Sequence, residues 1–421
     1  MTENKKMGFN ATWSMAVGGM VGGGIFSVLG VVIEHSAQWA WFSFLLAGII
    51  AFISAHSYSQ LSLKYKQSGG AFTFLNEINH EGLAGSLSWV LILGYVLTLS
   101  VYAFTFGHYV AHVFDVGGWL PRVLAFLVIG SLTYVNLRGV GSSSRVEIIT
   151  VWGKLMILLG VSLFGLLDWS PEKLTEGIAS KPFYASIVGA ATIFMAYEGF
   201  QLLSYDYEDI SHARTTLPKA TLWAVVSVIG VYIIVAFGAT MVVGAGSLVE
   251  KAEVALAVAG QKALGKPGLY LVTIAAAFST GSAINATLFS TGRLMEKVSK
   301  KKDLPDIFTK ENKANVPSYA IITIGSLGIV LAVIGSLGAL VDAASLIFLI
   351  TFGTVNLIAF RERISWRWLS LIGAVGCLAA IILSVREQIS SQPLPLAIII
   401  ILILGALIGR PYILKAMNGK G

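Results

Sequence analysis

The stretch Gly18-Gly19-Met20-Val21-Gly22-Gly23-Gly24-Ile25-Phe26 crowds its glycines into a single run, Met7–Ile33, that holds no Asp, Glu, Lys or Arg. A helix crosses the hydrocarbon core with about 20 apolar residues, so this run is long enough to span a membrane. Each glycine in a helix costs about 1 kcal/mol relative to alanine, so the same run undermines the helix it should form. Close helix packing is one explanation, because Gly18/Gly22 and Gly19/Gly23 have small-xxx-small spacing. These glycines cover more than one helix face, however, and packing needs only one. The reading adopted is a first span broken at mid-membrane, with exposed N–H groups at Gly22, Gly23 and Gly24 able to hold an anion. A dinucleotide-binding loop is excluded by the lack of a preceding strand.

Outward from this run, the chain repeats the same theme. Of 421 residues, 56% are hydrophobic and 12% are charged, about half the charge of a soluble domain. That composition rules out a string of soluble domains and a disordered chain. Further charge-free runs include His35–Leu63, Gly82–Phe114, Val123–Leu137, Ala220–Val249, Pro267–Gly292, Ala314–Val341, Ala343–Phe360, Trp368–Val385 and Gln388–Gly409. Ile148–Leu167 and Pro182–Tyr205 are interrupted by one charge each, Lys154 and Glu198. None alternates as a barrel strand would. The expectation is an all-α polytopic membrane protein of about twelve spans.

Orientation follows from Lys and Arg in the connections. With the N-terminus inside, 21 of the 29 lie on the inner side and 7 on the outer side. Both termini are therefore expected in the cytoplasm, and the net charge of +7 needs no nucleic-acid partner. The triplet Lys300, Lys301, Lys302 reads as a solvated inner loop. The first run is too long for a cleaved signal and reads as a retained helix. One cysteine, Cys377, excludes a disulfide framework.

Two ionisable residues break the pattern. Glu198, in Phe194-Met195-Ala196-Tyr197-Glu198-Gly199-Phe200, sits beside a glycine in mid-span, and a lipid-facing carboxylate there is costly. It opens what would be the second half of a five-plus-five repeat. Interrupted segments at corresponding positions of two halves point to a midplane transport site. A structural Glu paired with a buried cation or Tyr is the competing explanation. Lys154, in Val151-Trp152-Gly153-Lys154-Leu155, costs about 2.5–3.5 kcal/mol at a span centre. Burial favours its neutral form, which suits reversible proton binding; a static pair with Glu198 is the alternative. His108, His112 and Asp115 share a helix face and could hold zinc or gate by pH, although ordinary packing explains them better. Ser279, Thr280, Ser282 and Asn285 could line a polar cavity. No P-loop, His-Glu-x-x-His or Gly-x-Ser-x-Gly is present, so no enzyme, metal site or cofactor is expected.

These residues, taken in order, resemble the amino acid–polyamine–organocation transporter superfamily, in particular its small prokaryotic permeases. Ser14-Met15-Ala16-Val17-Gly18 through Gly24-Ile25-Phe26 is similar to the family's glycine-rich opening. Ser68-Gly69-Gly70-Ala71-Phe72 resembles its Gly-Gly-aromatic signature, and Tyr197-Glu198-Gly199-Phe200 stands where the sixth helix breaks. The resemblance implies a five-plus-five inverted repeat with broken first and sixth helices. Its halves would be residues 1–167 and 168–360, followed by two further helices over 361–421. Lys154 resembles a fifth-helix lysine of proton-coupled members, whose ammonium would tie to the Gly18 carbonyl region and to Ser279. The chain departs from many relatives in carrying Glu198, and Glu208-Asp209-Ile210-Ser211 lacks the expected Asn-Pro.

The implied protein is a secondary transporter of the prokaryotic plasma membrane. It would bring a small amino acid or amine into the cytoplasm with the coupling proton as its only accessory. Its substrate carboxylate would meet Gly22, Gly23 and Gly24. The amine would meet carbonyls near Phe194, Ala196 and Tyr197 with help from Glu198. Phe26, Tyr95 and Phe200 would be pocket or gating aromatics. The alternative is an importer or exchanger of polyamines or basic amino acids, with Glu198 holding the second positive charge.

Overall fold

A computed structural model describes residues 6–78, 81–114, 117–139, 144–391, 393–410, 412 and 414–415. Among them the chain is helical, with no strand beyond two isolated backbone bridges. The elements are α1 (Phe9–Ser36), α2 (Ala40–Tyr65), α3 (Gly70–Glu77), α4 (Glu81–Val113), α5 (Leu120–Leu137), α6 (Ser144–Leu166) and α7 (Ala185–Thr192). They continue with α8 (Ala213–Val243), α9 (Ala245–Glu250), α10 (Ala255–Lys300), α11 (Ser318–Ile334), α12 (Leu337–Arg361), α13 (Arg367–Ser391) and α14 (Pro393–Leu404). Setting aside the short α3 and α9, twelve segments cross the bundle, as the charge-free runs predict. The protein is a multi-pass membrane protein.

Burial sorts the helices into an inner and an outer set. The apolar window in α1 and α2 is 94% buried, whereas that in α5 is 22% and that in α13 is 28% buried. Phe126 and Leu127 on α5, Ile372, Val375 and Leu378 on α13, and Ile401 on α14 stand exposed. In water such a surface would aggregate; in a bilayer it faces lipid tails. α1 lies at the centre, packed by α4, α6, α7, α8 and α10.

The spans differ from expectation in two places. α11 ends at Ile334 and α12 starts at Leu337, so the boundary falls at Gly335–Ser336 rather than at Asp342. Asp342, the charge between the two apolar runs, is buried inside α12. The first span is also unbroken: α1 is one helix from Phe9 to Ser36. The premise that packing needs one glycine face fails because α1 has neighbours all round. A methyl at Gly19 would come 2.9 Å from Gly199 Cα and one at Gly22 would come 2.7 Å from Ala283 Cβ. At Gly23 it would enter the ring of Tyr102, and at Gly24 it would come 2.5 Å from the Tyr232 hydroxyl. Each glycine admits a different neighbour.

The sixth span does break. α7 stops at Thr192, a 3-10 turn covers Phe194–Tyr197, Glu198 is extended (ψ 141°) and a second 3-10 turn covers Phe200–Ser204. Gly199 makes the reversal at φ 132°, a conformation that side-chain-bearing residues rarely adopt. It also lies against the backbone of α1 at Gly19, where only a residue without Cβ fits.

Candidate transport site

The break leaves backbone groups without helical partners in a bundle that holds no bulk water, so side chains must satisfy them. Gly199 N–H donates to Gln201 Oε1 (2.8 Å), and Met195 N–H donates to Ser345 Oγ on α12 (3.0 Å). Ser345 in turn donates to the Thr192 carbonyl. The Tyr232 hydroxyl of α8 is within 2.7 Å of Met20 O and 2.8 Å of Ala196 O. It has one proton to share between α1 and the break. Tyr197 swings its hydroxyl onto Phe44 O of α2 (2.8 Å).

Glu198 is 2% exposed. It accepts from Gln201 Nε2 (2.7 Å) and from the Tyr102 hydroxyl of α4 (3.2 Å). Of the two explanations offered for this residue, partnership with a Tyr is part of what the structure holds. Tyr95, one of the expected pocket aromatics, is also in this cluster: its hydroxyl accepts from Gln201 Nε2 at 3.4 Å and lies 3.3 Å from that of Tyr205. A chain of polar groups therefore runs from Glu198 through Gln201 and Tyr95 to Tyr205.

Tyr205 lines a cavity of about 450 Å³ at the end of the bundle where the chain begins. Its wall combines Asp206, Glu208, Asp209 and Glu296 with Arg293, Lys297 and Lys300. Arg293, Lys297 and Lys300 lie in the last turns of α10, so of the triplet expected in a solvated loop Lys300 is still helical. Lys297 donates to Ser68 O and to Thr73 Oγ1 (3.0 Å), and Gly69 N–H donates to Ser204 O (3.1 Å). The Ser68-Gly69-Gly70 turn is thereby fastened to both α10 and the end of the broken span. Burial raises the Asp206 carboxyl to about 6, with Asp209 adding to the rise and Arg293 opposing it.

Lys154 is buried at 3% exposure and donates to Gly18 O at 3.2 Å. Ser279 Oγ donates to Val21 O at 2.7 Å. Both expected residues thus reach α1 carbonyls, Ser279 one turn above the one Lys154 holds.

The structure separates other expected site residues. Gly22, Gly23 and Gly24 lie within α1, so their N–H groups are not exposed to a carboxylate in this conformation. Phe26 packs edge-on to Tyr109, whose hydroxyl donates to Phe26 O (3.2 Å). Phe194 and Phe200 both meet Phe352 of α12, at centroid distances of 5.6 and 5.2 Å, forming an aromatic wall behind the break. His108 stacks on Phe104 and lies 3.3 Å from Glu253; Asp115 lies outside the described residues.

Three polar residues of the site went unread: Tyr102, Gln201 and Tyr232. The first had a signal. Tyr95, Tyr102 and Tyr109 recur every seven residues, placing them on one face of α4. Gln201, three residues beyond Glu198, lies in the same break.

The chain matches the amino acid permease family over residues 7–408. It is 30% identical to the inner membrane transport protein YbaT of Escherichia coli, over 86% of this chain and 84% of that protein. It is 26% identical to the serine/threonine exchanger SteT of Bacillus subtilis, over 72% of this chain and 69% of the other. The human Asc-type amino acid transporter 1 is 28% identical over 85% of this chain and 72% of its own length. A crystal structure of a manganese transporter from Eremococcus coleocola superposes with TM-score 0.63 at 12% identity, covering 97% of this chain and 95% of that one. That likeness concerns the fold alone.

Proposed function

Because the chain belongs to the amino acid permease family, we propose that it carries a small neutral amino acid into the cell with a proton, by alternating access across a plasma membrane. Amino acid transport itself follows from the family and its transporter relatives; the proton and the choice of substrate are this proposal. The observation that carries it is the pair of ties on α1: Lys154 on Gly18 O and Ser279 on Val21 O. An ammonium buried against a helix carbonyl stabilises one arrangement of α1 and α6 more when charged than when neutral. Loss of its proton shifts the balance between conformations by that difference. No fixed metal ion is needed for this.

The substrate amine would bind at the sixth-span break, where the Ala196 carbonyl accepts from the Tyr232 hydroxyl and the Glu198 carboxylate from that of Tyr102, hydroxyls that an ammonium can displace. The cavity beside Asp206 is then the cytoplasmic vestibule, consistent with termini inside. The two halves, 1–167 and 168–360, would rock about this centre.

Exchange of one amino acid for another is the second reading, supported by the relative named as a serine/threonine exchanger. Counterflow of radiolabelled serine, alanine, glutamate, lysine and putrescine into proteoliposomes tests the substrate class. Uptake of serine or alanine supports the proposal. Uptake confined to lysine or putrescine would replace it with a cationic-substrate carrier that uses Glu198.

A further inference from the structure

Asp342 is a second carboxyl inside the bundle. It lies in the second turn of α12 and is 4% exposed. It accepts a hydrogen bond from Thr192, the last residue of α7. Its Oδ1 has no hydrogen-bond partner among the described residues. The charged groups that bear on it are Glu34 near the end of α1 and Glu387 on α13, both acidic and both exposed. From α2 and α4, also packed on α12, no charged group among the described residues bears on it. His35 lies on the same rim, within reach of Glu34, Glu387 and Lys181. Asp342 is thus a buried acid beneath two exposed ones, at the end of the bundle opposite the vestibule.

An isolated carboxylate in a low-dielectric interior is expensive, and among the described residues no cation bears on Asp342. A bound proton removes the charge. We propose that Asp342 is a proton-binding site, loaded from the outer face past Glu34 and Glu387, whose occupancy sets the grip of α12 on the sixth-span break. The proton adds to an Asp342 carboxylate oxygen to give the neutral acid, and no other bond changes. The grip is visible in the structure: Asp342 holds the Thr192 side chain, while Ser345, one turn on, takes the Thr192 carbonyl and the Met195 N–H. The two residues bracket Ile193, where the helix gives way. Charging Asp342 changes one side of that bracket without touching the other. The carboxyl is buried, and among the described residues no group of three or more His, Cys, Asp or Glu could hold a metal ion, so the ligand is a proton rather than a metal ion.

The inference rests on the transport reading, and the test separates the two. Wild type, Asp342→Asn and Asp342→Glu are reconstituted, and each is measured by counterflow and by accumulation under an inward proton gradient. For one proton per substrate the wild type accumulates about tenfold per pH unit. Asp342→Asn is expected to keep counterflow and lose that accumulation, with Asp342→Glu restoring part of it. Infrared difference spectra of the detergent-solubilised proteins between pH 5 and pH 9 supply a readout that needs no transport. The wild type should show a carboxylic-acid carbonyl band that Asp342→Asn removes. An Asp342→Asn carrier that accumulates as the wild type does, or an unchanged carbonyl band, overturns the proposal. Accumulation driven by sodium and abolished by the same substitution would assign the site to Na⁺ and overturn it equally. Loss of counterflow in the wild type would refute the transport reading, with the infrared band still deciding Asp342.

Discussion

Replacing Gly199 by alanine attacks the break at its narrowest point. At φ 132° a side-chain-bearing residue is strained, at a cost of about 1–3 kcal/mol. The added methyl would also stand 2.5 Å from Gly19 C and from Met20 N. Those are backbone atoms of the central helix and cannot rotate away, so overpacking adds about 1–3 kcal/mol. The total is about 2–6 kcal/mol, a large share of the stability of a typical domain. Gly19→Ala isolates the second part, since α1 is helical there and its methyl would meet Gly199 Cα at 2.9 Å. Gly281→Ala, on α10 with open space around it, is the control. Midpoints of thermal unfolding in detergent should fall in the order Gly281→Ala, Gly19→Ala, Gly199→Ala. A Gly199→Ala midpoint equal to that of the control would refute the argument that this glycine fixes the break.

Other perturbations follow from the same contacts. Tyr232→Phe removes the single donor shared by Met20 O and Ala196 O, and should cost about 1–3 kcal/mol of unfolding free energy, read as a lowered midpoint of thermal unfolding. Asp206 holds its proton up to about pH 6 in the folded protein, above the ordinary aspartate value of 3.8. The folded state therefore binds more protons than the unfolded chain between these values, and stability falls as pH rises through the window. Asp206→Asn lacks that loss, so its unfolding midpoint should gain on the wild type from pH 4 to pH 7; a constant difference would contradict the assignment. Glu198→Gln should spare counterflow of neutral substrates and weaken that of lysine; equal loss of both would move Glu198 to a coupling or structural role.

Which parts of this structure could be read from the chain depends on how many physical uses each residue has. Lys154 in a span has few, and its tie to the Gly18 carbonyl is where the family resemblance implies it. Gly199 beside Glu198 likewise marked a real break, because a glycine next to a buried charge fits poorly into a continuous helix. The glycines of α1 have two uses, loose backbone and close approach, and composition cannot choose between them. The choice depends on Ala283, Tyr102 and Tyr232, which are distant in sequence and arrive from three different helices. Asp342 is hard to read as buried, since a charge between two apolar runs looks like a connection. Gly335 and Ser336, seven and six residues earlier, carried the true boundary without any charge to announce it.

Coupling of amino acid transport to protons through Lys154, buried against the Gly18 carbonyl, is the proposal on which the mechanism depends. Proteoliposomes containing wild type or Lys154→Ala, loaded at pH 7.5 and diluted to pH 6.5 with radiolabelled serine or alanine, test it directly (about tenfold accumulation is the limit for one proton per substrate). The account predicts that the wild type concentrates the amino acid, that a protonophore abolishes this, and that Lys154→Ala equilibrates substrate without concentrating it. A Lys154→Ala carrier that accumulates as the wild type does would contradict it.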